Sequence, residues 1–436
     1  MPDDRRDRQR SIRVPVLTRV EGEGALLVQL RDNVLTDVQL AIYEPPRFFE
    51  SFLRGRSFDE VADITARICG ICPVAYQMTA VQALEAALGI EIAAPIDALR
   101  RLIYCGEWIE SHSLHVHLLH APDFFGCDSG IELAKRFPAE VNRGLRMKKF
   151  GNRLLEVLGG RAIHPVNIAV GGFYRLPRRE ELHSLIPDFQ WGLQAAIETA
   201  RWVAGLPFPD FEIPYDFVAL SHPDQYAITA GQVTTSDGMR IPMTDYEQHF
   251  AEVQVPHSTS LQSRRMPQGT EYFLGPLARL NLNCEQLSPA AARLRDEVGW
   301  RRPCGNPYRG IVARAIEMVH AFEEALGLLQ SYRPLGKPRS EFEVRAGEGM
   351  AVTEAPRGLI FHRYQVSSDG LIEFAKIVPP TSQNQAQIEA DLRQLLPTIV
   401  HKPDKAIATE CEQLIRSYDP CISCATHFLS LTIQRQ

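Results

Sequence analysis

The stretch RICGICPVAYQ (Arg67–Gln77) separates Cys69 from Cys72 by two residues, and DPCISCATH (Asp419–His427) does the same for Cys421 and Cys424. This spacing turns two sulfurs to one side of a tight turn, as a metal site requires. The pairs lie roughly 350 residues apart, so they can share a site only if folding carries both ends of the chain to one place. Three readings compete. A structural zinc tetrathiolate keeps its knuckles close in sequence to staple a small unit, and a chain of this length needs no staple. A redox dithiol would open a βαβ unit, which neither pair does. The third reading is a catalytic metal in the middle of a large domain.

Composition narrows the function classes. The 436 residues are 45% hydrophobic and 23% charged, enough apolar material for a sizeable core. The formal net charge of -6, with no block of Lys or Arg, argues against nucleic acid as a partner. The start, MPDDRRDRQRS, has no apolar run behind it, so no secretory signal is expected. No stretch is apolar for long enough to span a membrane directly. A cytoplasmic chain with reduced thiols follows, and its odd number of cysteines, nine, suits metal chemistry better than disulfides.

Hydrophobic periodicity predicts a mainly α fold with peripheral β segments, built as a single domain over 1–436. SIRVPVLTRV, GALLVQL and VLTDVQLAIYE read as strands, with a turn at Arg31-Asp32-Asn33. Ser57-Phe58-Asp59-Glu60 is a capping box that opens a helix toward Cys69. VAYQMTAVQALEAALG has helical spacing, as do Ile96–His120, Ile131–Leu158 (bent near Pro138), 178–205 and 311–330. Residues 224–244 and the run from Glu341 to Pro380 read as β, and helices are expected near 384–396 and 404–417. His112, His115, His117 and His120 spread over more than one helix face, so they read as packed histidines rather than one ion's ligands. Cys105, Cys127, Cys284, Cys304 and Cys411 pair with nothing at this spacing and read as small core residues.

The residues around the thiol pairs carry a resemblance. RICGIC and DPCISCATH together resemble the paired signatures of the nickel–iron hydrogenase large subunit. LTRVEGEG (Leu17–Gly24), RFFESFLRGR (Arg47–Arg56), GGRAIHP (Gly159–Pro165), GPLARLN (Gly275–Asn281) and EAPRG (Glu354–Gly358) resemble further family motifs in family order. The implied fold is the hydrogenase large-subunit fold, shared with the 49-kDa-type subunit of respiratory complex I. The implied function is reversible heterolytic cleavage of H2 to protons and electrons.

The resemblance also assigns residues. It makes Cys69 and Cys421 terminal nickel ligands, and Cys72 and Cys424 bridges to an iron that carries carbon monoxide and cyanide; soft thiolates suit such metals. Cys421 would take the proton and Glu21 would relay it outward. Taken by itself, Glu21 reads equally as a charge at a strand end, with Glu23 as a decoy. Arg357 in EAPRG would face the anionic diatomic ligands, for which a fixed, always charged guanidinium is suited. Asp123 and Asp419 would stand near it, and Pro380 and Thr381 would line the cyanides. Glu50, the main-chain carbonyl of Ile377 and His427 would hold magnesium or a similar cation. One departure is Tyr76, where the family usually has His.

Further parts are implied. The five cysteines left cannot build a chain of iron–sulfur clusters at about four ligands each, so an iron–sulfur small subunit is expected. RVPVLTRVEGEGAL, FFESFLRGR and RICGICPVAYQ most resemble the bidirectional hydrogenases linked to NAD or NADP, some of which also reduce sulfur or polysulfide. Flavin- and NAD(P)-binding diaphorase subunits would complete the complex. Nickel-insertion factors and a maturation protease are also implied, the latter removing 428–436 as a propeptide. The alternatives are a deazaflavin- or heterodisulfide-linked acceptor and a metal-lacking structural subunit of the complex I kind. The four cysteines speak against the last.

Overall fold

The computed structural model describes residues 9–334 and 336–426. At its start, β1 (Gln9–Val14), β2 (Gly24–Arg31) and β3 (Val34–Ile42) form an antiparallel sheet in that order. Alternate residues of β2 are buried, so one face of the sheet packs inward. Asp32 and Asn33 make the β2–β3 turn with φ of 49° and 62°, the left-handed pair that matches strand twist.

The Ser57 capping box is present and opens a short 3-10 turn, Phe58–Glu60, before the helix Val61–Ala66. After the first thiol pair, α1 (Pro73–Leu88) starts with proline in its first turn and is buried on nearly every side. Next, α2 (Ala94–Leu114) passes through the core and continues as a π-helical turn, His115–His120. The helix expected over 131–158 is two helices, Gly130–Arg136 and α3 (Pro138–Gly159). Phe137 leaves helical geometry (φ -130°, ψ 61°). A proline that would clash inside a helix instead begins a new one. The segment 178–205 likewise divides into Arg179–His183 and α4 (Ile186–Ala204).

The expected β excursion forms a three-stranded sheet of Val218–Ser221, Gln232–Thr235 and Arg240–Ile241. A separate ribbon, Phe250–Gln254 with Leu261–Arg265, follows it without a clear sequence signal. Then come α5 (Gly310–Ser331) and the antiparallel strands β4 (Gly347–Ala355), β5 (Gly358–Val366) and β6 (Ile372–Val378). The last helices are α6 (Pro380–Ile399) and α7 (Asp404–Ser417). Helix α6 begins earlier than its apolar periodicity suggests, because Pro380 starts it and the buried polar run Thr381–Asn384 forms its first turn. Helix α2 packs on α3 and α5, α5 on α4, and α1 on β4 and β5. No helix among the described residues is long and apolar enough to cross a membrane.

The four histidines are all buried, and they do not converge on one ion, although the His115 and His120 rings pack 5.3 Å apart. His112 pairs with Glu317, His115 Nε2 lies 2.8 Å from the Arg416 carbonyl, His117 Nδ1 lies 3.0 Å from the Ser113 carbonyl, and His120 packs on Phe124. Burial holds His112 and His117 down to about 4. An unfolded chain binds these protons near pH 6.5, so this contribution is complete above that pH and is lost as pH falls toward 4. The variant His117→Gln is therefore expected to gain stability relative to wild type between pH 7 and pH 5. Urea unfolding midpoints measured for both chains at the two pH values check this.

Candidate metal centre

The two thiol turns meet inside the protein. Cys69 and Cys72 lie on the loop that leads into α1, and Cys421 and Cys424 lie on the turn that follows α7. All four are buried, none is in a disulfide, and their sulfurs lie within 4.8 Å of one another. Individual separations are 3.0 Å (Cys69–Cys72), 3.5 Å (Cys69–Cys421), 4.0 Å (Cys72–Cys424) and 2.6 Å (Cys421–Cys424). They are the one group of His, Cys, Asp or Glu side chains among the described residues placed to share a metal ion.

Three contacts hold the turns in place. Glu21 pairs with Cys421 as an isolated parallel bridge, and the Ile422 N–H donates to the Glu21 carbonyl at 2.9 Å. Arg47 ties the turns together, with Nη2 donating to the carbonyls of Ile68 (2.8 Å) and Ser423 and its own N–H donating to Thr426 O at 2.6 Å. Glu107, buried on α2, accepts from the N–H groups of Val74 (2.6 Å) and Ala75 (3.0 Å). This sets a carboxyl group, its pKa pushed up by burial, against the first turn of α1. Sequence reasoning gave neither Arg47 nor Glu107 a role of its own, since each partner lies far away in the chain.

The electrostatics favour a cation at the sulfurs. Burial pushes the Cys421 and Cys424 thiols up. At Cys69 burial acts the same way, but hydrogen bonding from Cys421, Cys424 and Cys72 outweighs it and leaves this thiol well below its ordinary range. The cluster thus favours one thiolate over four. Four negative sulfurs this close in a low dielectric need positive charge among them, and soft thiolates select soft or borderline metals.

Arg357 sits at the tip of the β4–β5 hairpin, where Ala355 pairs with Gly358. Its Nε donates to Asp419 O at 2.9 Å and its Nη2 to Asp419 Oδ1 at 3.2 Å, while Nη1, buried, has no hydrogen-bond partner among the described residues. Arg279, from GPLARLN, aims the hairpin: it donates to Ala355 O and Pro356 O, both at 3.0 Å. Arg279 is in turn held by Glu317 (2.7 Å) and Glu354 (2.9 Å), all three fully buried. Its place in a motif was the only signal of this role. Thr381 Oγ1 accepts from the Cys421 N–H at 2.9 Å. Pro380 lies against Gly358, where an added Cβ would approach Pro380 Cβ to 3.2 Å. Tyr76 is buried and its hydroxyl has no partner among the described residues. Burial, then Cys424 and Cys72, raise its pKa, so it stays a donor.

Asp123, expected near Arg357, is held by two other arginines. It accepts 2.8 Å hydrogen bonds from Arg416 Nε and Nη2 and pairs also with Arg19. It therefore fixes the end of α7 just before the second thiol turn. Glu50 is buried and accepts from the Ile377 N–H at 2.8 Å, and burial pushes its carboxyl up to about 8. These two expected cation ligands are thus adjacent, while His427 and the proposed propeptide 428–436 lie outside the described residues.

Glu21 Oε2 accepts from the Cys421 thiol at 3.0 Å and from the Ser423 N–H at 3.1 Å. Gly22 makes this approach possible. Its φ is 87°, and a Cβ there would lie 2.7 Å from Ile422 Cβ, 2.8 Å from Ser423 N and 2.8 Å from Glu44 Oε2.

Comparison with known proteins follows the same residues. A family described as nickel-dependent hydrogenase matches residues 47–136 and 312–427, which include both thiol turns. The alpha subunit of sulfhydrogenase 1 from Pyrococcus furiosus is 32% identical over 425 residues, covering 96% of this chain and 98% of its own. The alpha subunit of sulfhydrogenase 2 from the same organism is 33% identical over 427 residues, covering 96% and 100%. A crystal structure of an NAD+-reducing [NiFe]-hydrogenase in the H2-reduced state superposes with a TM-score of 0.87 at 26% identity, covering 97% of this chain and 100% of that one.

The substitution Gly22→Ala puts a side chain into that contact and strains a positive φ. A stability loss of about 1–3 kcal/mol and reduced nickel retention are expected, checked by urea unfolding and by metal analysis of the purified protein.

Proposed function

The chain belongs to the nickel-dependent hydrogenase family as a catalytic large subunit, and on that premise we propose that its four cysteines hold a nickel–iron pair. It is an oxidoreductase acting on H2. When bound, the metal pair, with carbon monoxide and cyanide on its iron, supplies Lewis acidity and electron-accepting capacity for heterolytic cleavage. The observation that carries this reading is the meeting of four buried thiols from opposite ends of the chain.

In this reading Cys69 and Cys421 would hold nickel, and Cys72 and Cys424 would hold both nickel and iron. Cys421 Sγ receives the proton and passes it to Glu21 Oε2, 3.0 Å away. Arg357, whose buried Nη1 has no partner among the described residues, would offer it to the anionic diatomic ligands, and Asp419 holds the guanidinium in place. Thr381, whose oxygen accepts from Cys421, keeps its own proton to donate beside Pro380. Asp123 acts at one remove, through Arg416. Glu50, the Ile377 carbonyl and His427 form a site for magnesium or a similar hard cation, for which oxygen donors are suited.

The chain to His427 works as one domain, with 428–436 removed by a protease after nickel-insertion factors have acted. Electrons leave through an iron–sulfur subunit to diaphorase subunits that bind flavin and NAD or NADP, with sulfur as a further acceptor. The NAD+-reducing activity of the structural relative and the sulfhydrogenase names of the sequence relatives support this choice. Nine free cysteines suit a reducing, cytoplasmic setting.

Metal analysis of the purified complex is expected to find nickel and iron in near equal amounts and H2-dependent reduction of NAD+ or NADP+. Zinc alone would overturn the metal assignment, and H2 oxidation with only a deazaflavin or heterodisulfide acceptor would redirect the electron route. Glu21→Gln is expected to retain nickel while slowing H2/D2O exchange by about 10²–10⁴-fold. The intact mass of the nickel-loaded chain should end at His427; a mass that includes Phe428–Gln436 would refute the trimming.

A further inference from the structure

Strand β4 lies along α1 and runs toward the end of that helix where the first thiol turn sits. An added Cβ at Gly347 would collide with the Ala87 carbonyl, and one at Gly349 with the Ala83 carbonyl. The same face of β4 continues, at every second residue, through Ala351, Thr353 and Ala355. Thr353 alone on this face has a hydroxyl, and it meets Thr79, one turn further toward the start of α1.

Three buried hydroxyls join here. Thr353 Oγ1 lies 2.7 Å from Thr79 Oγ1 and 2.5 Å from Tyr104 Oη on α2. Thr79 donates its only proton to the Ala75 carbonyl at 2.7 Å. Thr353 must therefore donate to Thr79, and Tyr104 to Thr353. The resulting chain runs one way, from Tyr104 through Thr353 and Thr79 to Ala75, and each member polarises the next. It ends three residues after Cys72, on a residue whose N–H donates to Glu107 at 3.0 Å. Its middle member stands four residues before Arg357, on the strand that leads into the Arg357 hairpin.

We propose that Thr353 is a positioning residue, whose hydroxyl fixes β4 at one place along α1 and so sets how far Arg357 stands from the first thiol turn. The proposal rests on the reading that Arg357 faces the diatomic ligands. Arg279 aims the hairpin, but its carboxylate partners lie on α5 and on β4 itself, so it does not tie β4 to α1. The hydroxyl chain supplies that tie. A slide of β4 would leave buried hydroxyls unpartnered, which costs more than one hydrogen bond contributes.

The test uses the whole complex in five forms: wild type, Thr353→Val, Thr353→Ser, Tyr104→Phe and Arg357→Lys. Thr353→Val keeps the branched shape and removes the hydroxyl. It is expected to retain nickel, to move the cyanide infrared bands from their wild-type positions and to slow H2 oxidation by about 10-fold or more. Tyr104→Phe should move the bands the same way by a smaller amount, and Thr353→Ser should match wild type in bands and rate. Wild-type bands in Thr353→Val, with the bands moved in Arg357→Lys, overturn this proposal alone. Bands unmoved in Arg357→Lys overturn the reading beneath it. Bands displaced in Thr353→Ser as far as in Thr353→Val overturn the role of the hydroxyl. Loss of nickel from both Thr353→Val and Tyr104→Phe overturns the proposal by leaving the chain a structural role only.

Discussion

Bringing four sulfur atoms within 4.8 Å of one another in a protein interior is the constraint on which this structure depends. Thiols that close cannot all ionise unless positive charge lies among them. The chain meets the geometric half of this demand with backbone. The Glu21–Cys421 bridge, the Arg47 clasp and the Glu107 carboxyl under α1 each fix main-chain atoms of a thiol turn. Fixing the backbone leaves little freedom to the short cysteine side chains.

A second, dry set of charges serves the first. Arg279, Glu317 and Glu354 are fully buried, and His112 and the Tyr226 hydroxyl also bond to Glu317. Breaking such a network by removing one partner is costly, because it strands an unpaired charge in low dielectric. Its geometric effect is to seize the two carbonyls before Arg357 and aim that side chain at the sulfurs. The position of the Arg357 guanidinium beside the thiols is thus set by residues that never touch them.

Local signals in the sequence were sufficient wherever the physics is local. The Asp32-Asn33 turn, the Ser57 capping box and the periodicity of α1, α2 and α5 are properties of a few neighbouring residues, and the structure has them where expected. The CxxC spacing indicated a metal, and the family resemblance gathered the rest of the site. Contacts across the chain were not legible. Pro138 was read as a bend, but the geometry of Phe137 makes it a start. Arg416, nearly 300 residues away, holds Asp123, a partner that no local pattern named. Glu107 sits in an apolar helix pattern, and only the fold reveals the N–H groups it accepts from. Charges of this kind are set by partners that no window of sequence contains.

The second thiol turn is synthesised roughly 350 residues after the first. A nascent chain on the ribosome therefore carries half a ligand set for most of its synthesis, and any product that stops short of Cys421 carries no more than that half. Synthesis through Cys424 is therefore what first lets the four thiols meet.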